Sequence, residues 1–172
     1  MAKDNSCCFT GHRNLGTEEL QRASAAIASL LPKLAAEGIT HFYAGGAIGF
    51  DLAAAVTVLN QKRLLPELTL TLALPCRNHM NKWRRVDREL FERVMARADE
   101  VVYVSESYTR GCMQMRNCYM ADRSSVCVCW LVEQRGGTFN TVSYARKKGL
   151  RIINLAPEPA GEQLCFDFAP MK

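Results

Sequence analysis

Two glycine-rich turns stand out among the residues able to do chemistry. Ala44-Gly45-Gly46-Ala47-Ile48-Gly49-Phe50-Asp51 puts three glycines into five positions directly ahead of a helical stretch, and Arg135-Gly136-Gly137-Thr138-Phe139-Asn140-Thr141 repeats the design with added hydroxyls. Glycine lets the backbone approach a ligand closely, so a side chain at Gly46 is expected to block that approach. The free amides at the start of the helix that follows each turn bind phosphate without any charged side chain. The first turn is not a P-loop, because no Gly-Lys-Ser/Thr closes it, nor is it an exact Gly-x-Gly-x-x-Gly fingerprint. Asp51 has the chemistry either to accept a hydrogen bond from a ribose hydroxyl or to cap its helix.

Two further groups could join them. Thr10-Gly11-His12-Arg13 combines a glycine with donors to an anion, although a turn bearing a surface arginine reads the same way. Arg116 and Asn117 are adjacent polar residues in a segment otherwise rich in apolar side chains, so their burial requires partners. For Arg116 these are Asp122, a backbone carbonyl or a ligand.

Positioning these groups calls for a frame, and the sequence has the pattern of one. Short apolar β-rich runs at Ser6–Thr10, His41–Ala44, Leu68–Leu74, Glu100–Val104, Ser125–Leu131 and Arg151–Asn154 alternate with longer stretches of helical period. This predicts an α/β, Rossmann-like, doubly wound domain over residues 1–156, with a mainly parallel sheet and helices on both faces. The first helix is expected from Thr17 as its cap, with Leu20, Ala23, Ile27, Leu30 and Leu34 inward and a kink or restart at Pro32. Further helices are expected over Phe50–Gln61, Lys82–Ala96 (Trp83, Val86, Leu90 and Val94 inward), Met113–Asp122 and Thr138–Lys148, the last closed by Gly149. In such a sheet, ligands sit beyond the carboxyl ends of the strands, where all four polar groups fall. Residues 157–172, with three prolines, read as a poorly ordered tail.

Composition excludes several classes. With 172 residues, 48% hydrophobic and 23% charged, the chain can bury a core without crosslinks. The eight cysteines are therefore expected to be reduced, several of them packing in strands. There is no Cys-x-x-Cys and the three histidines are scattered, so no metal is expected. No apolar run reaches the length of a membrane span and no signal-peptide core precedes the first strand, which points to a cytoplasmic protein with no membrane partner. The net charge of +5 is concentrated in Arg77–Arg97, where seven Lys or Arg face Asp87, Glu89 and Glu92, either a solvated helix face or a surface for nucleic acid.

Together, Thr10 to Arg13, Gly45 to Asp51, Gln114 with Arg116, Asn117 and Asp122, and Gly136 to Thr138 with Thr141, Tyr144 and Ala145 resemble the YpsA-like family of the SLOG superfamily. That Rossmann-like group also includes the LOG and DprA proteins. The resemblance implies a site for a nucleotide or nucleotide-derived ligand, acting in binding or sensing, over Gly11, His12, Arg13, Gly45, Gly46, Gly49, Asp51, Arg116, Asn117, Gly136, Gly137, Thr138 and Thr141, with no separate cofactor. LOG enzymes look like phosphoribohydrolases that use a Pro-Gly-Gly-x-Gly-Thr-x-x-Glu stretch. Here Arg135-Gly-Gly-Thr-Phe-Asn-Thr-Val-Ser-Tyr144 lacks that glutamate, and Glu133 reads as a surface residue at a strand end, which leaves Asp51 as the best catalytic candidate for N-glycosidic cleavage. A DprA-like nucleic-acid-binding module, through Arg77–Arg97, is the third reading. Homo-oligomerisation is left open.

Overall fold

The computed structural model describes residues 3–158, so the tail expected over residues 157–172 lies almost wholly outside the described residues. Six strands, β1 (Ser6–Gly11), β2 (His41–Ala44), β3 (Thr69–Leu74), β4 (Glu100–Tyr103), β5 (Val126–Trp130) and β6 (Arg151–Asn154), form one sheet in the order β4-β3-β2-β1-β5-β6. Every neighbouring pair is parallel. The chain winds outward from β1 to β4, then crosses back to place β5 on the other side of β1. The strand order thus reverses beside β1, and the crevice of an open α/β sheet opens at that point.

Between the strands lie α1 (Thr17–Ala36), α2 (Phe50–Gln61), α3 (Arg85–Arg97), α4 (Cys112–Asp122) and α5 (Gly136–Lys147). Alternation along the strands sends Cys7, Phe9, Val126, Val128 and Trp130 into the core beneath α1, α2 and α3. Cys8 and Cys127 pack instead beneath Met120 and Ala121 of α4 and Ala145 of α5. The doubly wound architecture follows from strands apolar on both faces, as expected. The seven described cysteines are all free thiols. Burial pushes the Cys7 thiol up, well above the ordinary range, and Cys129 up to about 12, as befits cysteines that act as small hydrophobes. Among the described residues no helix is long and apolar enough to cross a membrane, and no cluster of metal-ligating side chains occurs.

The helices depart from expectation in instructive places. α1 runs unbroken through Pro32, which lies on its exposed face, where water can bond the carbonyl that loses its amide partner. Its cap is Gly16 rather than Thr17, with the Gly16 N–H donating to Glu19 Oε2 at 3.0 Å, and Leu31 is fully buried while Leu30 packs partly buried against the core. α3 begins at Arg85, later than its periodicity suggests, because residues 77–82 form turns. Phe91 and Val94 face inward while Val86, in its first turn, is 61% exposed. Gly149 does take the left-handed conformation past α5, with φ of 81°.

Candidate functional site

The first glycine turn links β2 to α2. Gly45 and Gly46 are buried, and what surrounds them is protein. A Cβ on Gly45 would stand 2.6 Å from Arg116 Cζ and 2.7 Å from Asp51 Oδ2. At Gly46, with φ of 66°, it would meet Leu74 Cδ2 at 2.6 Å and Phe91 Cε2 at 2.8 Å. The expected role of Gly46, leaving room for a phosphate, is therefore not the one its surroundings give it: the missing side chain makes room for the core. Gly49, with φ of 88°, fits against the backbone of His12 and Arg13, and the Phe50 N–H donates to the His12 carbonyl at 3.2 Å. Gly11 serves the same join, since its Cβ would lie 2.5 Å from Phe50 Cβ. The turn thus clasps the end of β1.

Inside this clasp stand a carboxylate and a guanidinium. Asp51, in the first turn of α2, is buried, and burial raises its carboxyl to about 6. Arg116, Arg13 and the backbone amides of Ala47 and Gly45 oppose that rise. Asp51 is thus held by the turn it follows and also lines a cavity. Arg116 is only 4% exposed, and its Nη1 donates to the carbonyl oxygens of Gly45 and, at 3.5 Å, Ala73. Its Nε donates to Asn117 Oδ1 at 2.8 Å. Of the partners open to Arg116 from sequence, the backbone carbonyl is realised and Asp122 is not, because Asp122 bonds Tyr144 and Lys148. Burial pushes the Arg116 guanidinium down from its ordinary value while Asp51 holds it up, and it stays charged. No acceptor among the described residues bonds Arg116 Nη2.

The second glycine turn is built differently. Gly136, with φ of 85°, and Gly137 open α5, and a Cβ on either would meet nothing within 4 Å. Their outward faces are bare backbone at a helix start, where amides lack intrahelical partners. The turn is braced from behind. Asn117 Nδ2 donates to Thr141 Oγ1 at 2.8 Å, and that hydroxyl donates to the Gly137 carbonyl at 2.9 Å. Asn117 and Thr141 therefore join Arg116 to the second turn. On the other side, the Val132 N–H donates to His12 Nε2 at 3.0 Å, tying the loop after β5 to the loop after β1.

Between the two turns lies an open cavity of about 300 Å³. Gly11, His12, Arg13, Asp51, Arg116, Asn117, Gly136, Gly137 and Thr138 of the expected site line it; Gly45, Gly46, Gly49 and Thr141 support it from outside its wall. Thr10, Ala47, Met113, Glu133 and Arg135 also line it. Arg135 could have been suspected from its place directly before Gly136, but nothing in the sequence marks Met113, whose sulfur receives an Arg13 Nη2 contact at 3.8 Å. Glu133 is exposed, as expected, yet it borders the cavity and pairs with Arg135 at 3.3 Å. Arg77 to Arg97 form no part of this wall, and Arg77, Arg84 and Arg85 are paired with Glu106, Asp87 and Glu89.

This architecture has relatives. A protein from the SPβ prophage of Bacillus subtilis, YoqJ, is 30% identical over 148 residues, covering 78% of this chain and 85% of its own length. A UPF0398 protein of Bacillus velezensis is 31% identical over 74 residues, 43% of this chain and 41% of that one. Among solved structures, DNA processing protein A of Streptococcus pneumoniae superposes with a TM-score of 0.64 at 16% identity, covering 87% of this chain and 50% of that one. The Helicobacter pylori protein of the same name, described by its single-stranded DNA binding mode, superposes at 0.59 and 15% identity over 86% of this chain and 63% of that one. The chain thus spans between half and two-thirds of these structures, and the likeness is one of fold. The matching family model runs from residue 7 to residue 150 and takes in both glycine turns and the helix that carries Arg116: the chain belongs to the YspA SLOG family.

Proposed function

We propose that this protein binds a phosphate-bearing nucleotide or nucleotide derivative in the cavity between the two glycine turns. The observation that carries this reading is the bare Gly136–Gly137 turn at the start of α5, which faces the same cavity as Arg13, Arg116 and Arg135. Backbone amides at a helix start together with guanidinium groups hold a phosphate. Asp51, across the cavity, accepts from ribose hydroxyls, and Thr138 adds a donor. Cleavage of an N-glycosidic bond is a poorer fit. The amides of its own turn hold Asp51 in place, which suits a fixed acceptor for a hydroxyl rather than a group that moves a proton, and Glu133, exposed and paired with Arg135, replaces no missing glutamate.

Calorimetric titration with AMP and ADP tests the reading on the wild type and on Gly137→Ala, a change that meets no protein atom. Binding well below about 1 mM in the wild type, weakened at least tenfold in the variant, is the expected outcome. Wild-type affinity no better than about 1 mM, or unchanged affinity in a folded Gly137→Ala, defeats it.

A second reading, binding of single-stranded nucleic acid, draws on the likeness to DNA processing protein A and on the basic residues of 77–97. The ion pairs at Arg77, Arg84 and Arg85 reduce the charge available there. Oligonucleotide binding that falls steeply with salt, and falls again on replacing Lys82 and Arg93, would favour it.

A further inference from the structure

Away from the cavity wall, two pairs of cysteines hold their thiols within hydrogen-bonding reach of each other. Cys8 and Cys127 stand opposite in the ladder between β1 and β5, beneath Met120, Ala121 and Ala145. Strand pairing fixes their backbones. Cys76 and Cys112 are placed differently. Cys76 lies two residues past the end of β3, and Cys112 is the first residue of α4, directly after Gly111 with its φ of 90°. Both are fully buried, and their chain neighbours Pro75 and Met113 line one small hollow between the two connections. The geometry points to Cys76 and Cys112 as a dithiol that a small hydroperoxide converts to a disulfide, fastening the start of α4 to the end of β3. This stands whether or not the cavity takes a nucleotide.

A disulfide brings two Cβ atoms to about 3.8 Å with a narrow range of dihedral angles. Loop residues reach that by small backbone shifts, whereas residues held in a parallel ladder resist it. Residues 106–111 are exposed, which puts Cys112 one position along the chain from solvent. Arg116, one turn further along α4, interacts with Cys112, so a guanidinium stands beside the sulfur as charge develops on it. Burial above all raises the Cys76 thiol, which keeps its proton until its partner has reacted. With hydrogen peroxide, the Cys112 sulfur attacks one oxygen and the O–O bond breaks. A sulfenic acid forms, and the leaving oxygen departs as water with the thiol proton. The Cys76 sulfur then attacks the sulfenic sulfur. The S–S bond forms, the S–O bond breaks, and the hydroxide leaves as a second water with the Cys76 proton. Two electrons pass from the thiols to the peroxide. The helix so fastened carries Arg116 and Asn117, whose bonds reach both glycine turns.

The test exposes the full chain to hydrogen peroxide, unfolds it in N-ethylmaleimide, digests it with trypsin and reads the masses. Of the eight cysteines, all should be labelled before oxidation and six after it. Peptides 64–77 and 111–116 should be joined, and dithiothreitol should separate them again. In the crosslinked protein, amide exchange at Met115 and Arg116, in the first turns of α4, should slow. Cys127→Ala should form the same crosslink, and Cys112→Ala should keep all its remaining thiols. Eight labelled cysteines after peroxide, a crosslink through Cys8, Cys118 or Cys165 instead, or sulfinic acid at Cys112 with Cys76 still free, overturns the proposal on the wild type alone. A crosslink that leaves exchange in α4 unchanged overturns the fastening of the helix.

Discussion

The two glycine turns look alike in sequence and differ in what their glycines are for. After β2, the absent side chains of Gly45 and Gly46 make room for Arg116, Asp51, Leu74 and Phe91. After β5, the absent side chains of Gly136 and Gly137 make room for nothing in the protein. The first turn is a packing device that sets a buried carboxylate and guanidinium on either side of its backbone. The second is an open cradle held in place by Asn117 and Thr141. The same residue type in the same place before a helix can therefore be packed into the core or left open to a cavity, and only the surrounding atoms distinguish the two.

Substitution should separate the turns sharply. Gly46→Val combines a left-handed φ with collision against Leu74 and Phe91, and should cost roughly 3–5 kcal/mol in urea denaturation, a large share of a domain's stability. Retention of wild-type stability would mean that the first turn is as open as the second.

The next largest effect concerns Asp51. Its carboxyl is raised from 3.8 to about 6 by burial, so over that window the folded chain holds a proton that the unfolded chain has released. Its contribution to stability is present below about pH 4 and lost as pH rises through about 6. Relative to Asp51→Asn, the wild type should lose on the order of 3 kcal/mol between about pH 4 and pH 7. Denaturant titrations across that range, read as the difference between the two proteins, cancel the other carboxylates. Parallel profiles would show Asp51 already ionised and compensated at low pH. Least in size, and opposite in direction, is Gly137→Ala. It replaces a helical glycine facing open space and should leave melting unchanged or raise stability by up to about 1 kcal/mol, even as it blocks phosphate.

The frame was the legible part, and for a physical reason. Strands covered on both faces must be apolar throughout, and Val126-Cys-Val-Cys-Trp130 announces this without any tertiary information. The loops with chemistry were legible because an open parallel sheet gathers them at one end. What the sequence left undecided is direction. Nothing in Gly45-Gly46 tells which way the missing Cβ would point, since that depends on Phe91, forty-five positions away in the chain. Likewise Leu31 is fully buried where Leu30 only packs partly buried against the core, and Val86 stays outside, through small rotations of helices whose periodicity admits neighbouring registers. Asn117 and Thr141 were recognisable as candidates for the site, but their part as a brace between two helices required their hydrogen bonds.

The bond from Arg116 to Gly45 joins residues 71 apart in the chain, and that from Val132 to His12 joins residues 120 apart. No local segment, folding early by itself, can contain the site. The cavity exists only once the last long crossover is complete, so its occupant would have affinity for the finished chain and none for partly folded species. Such an occupant would shift the whole unfolding equilibrium, slowing hydrogen exchange in β1, β2 and β5 together rather than only in the loops it touches.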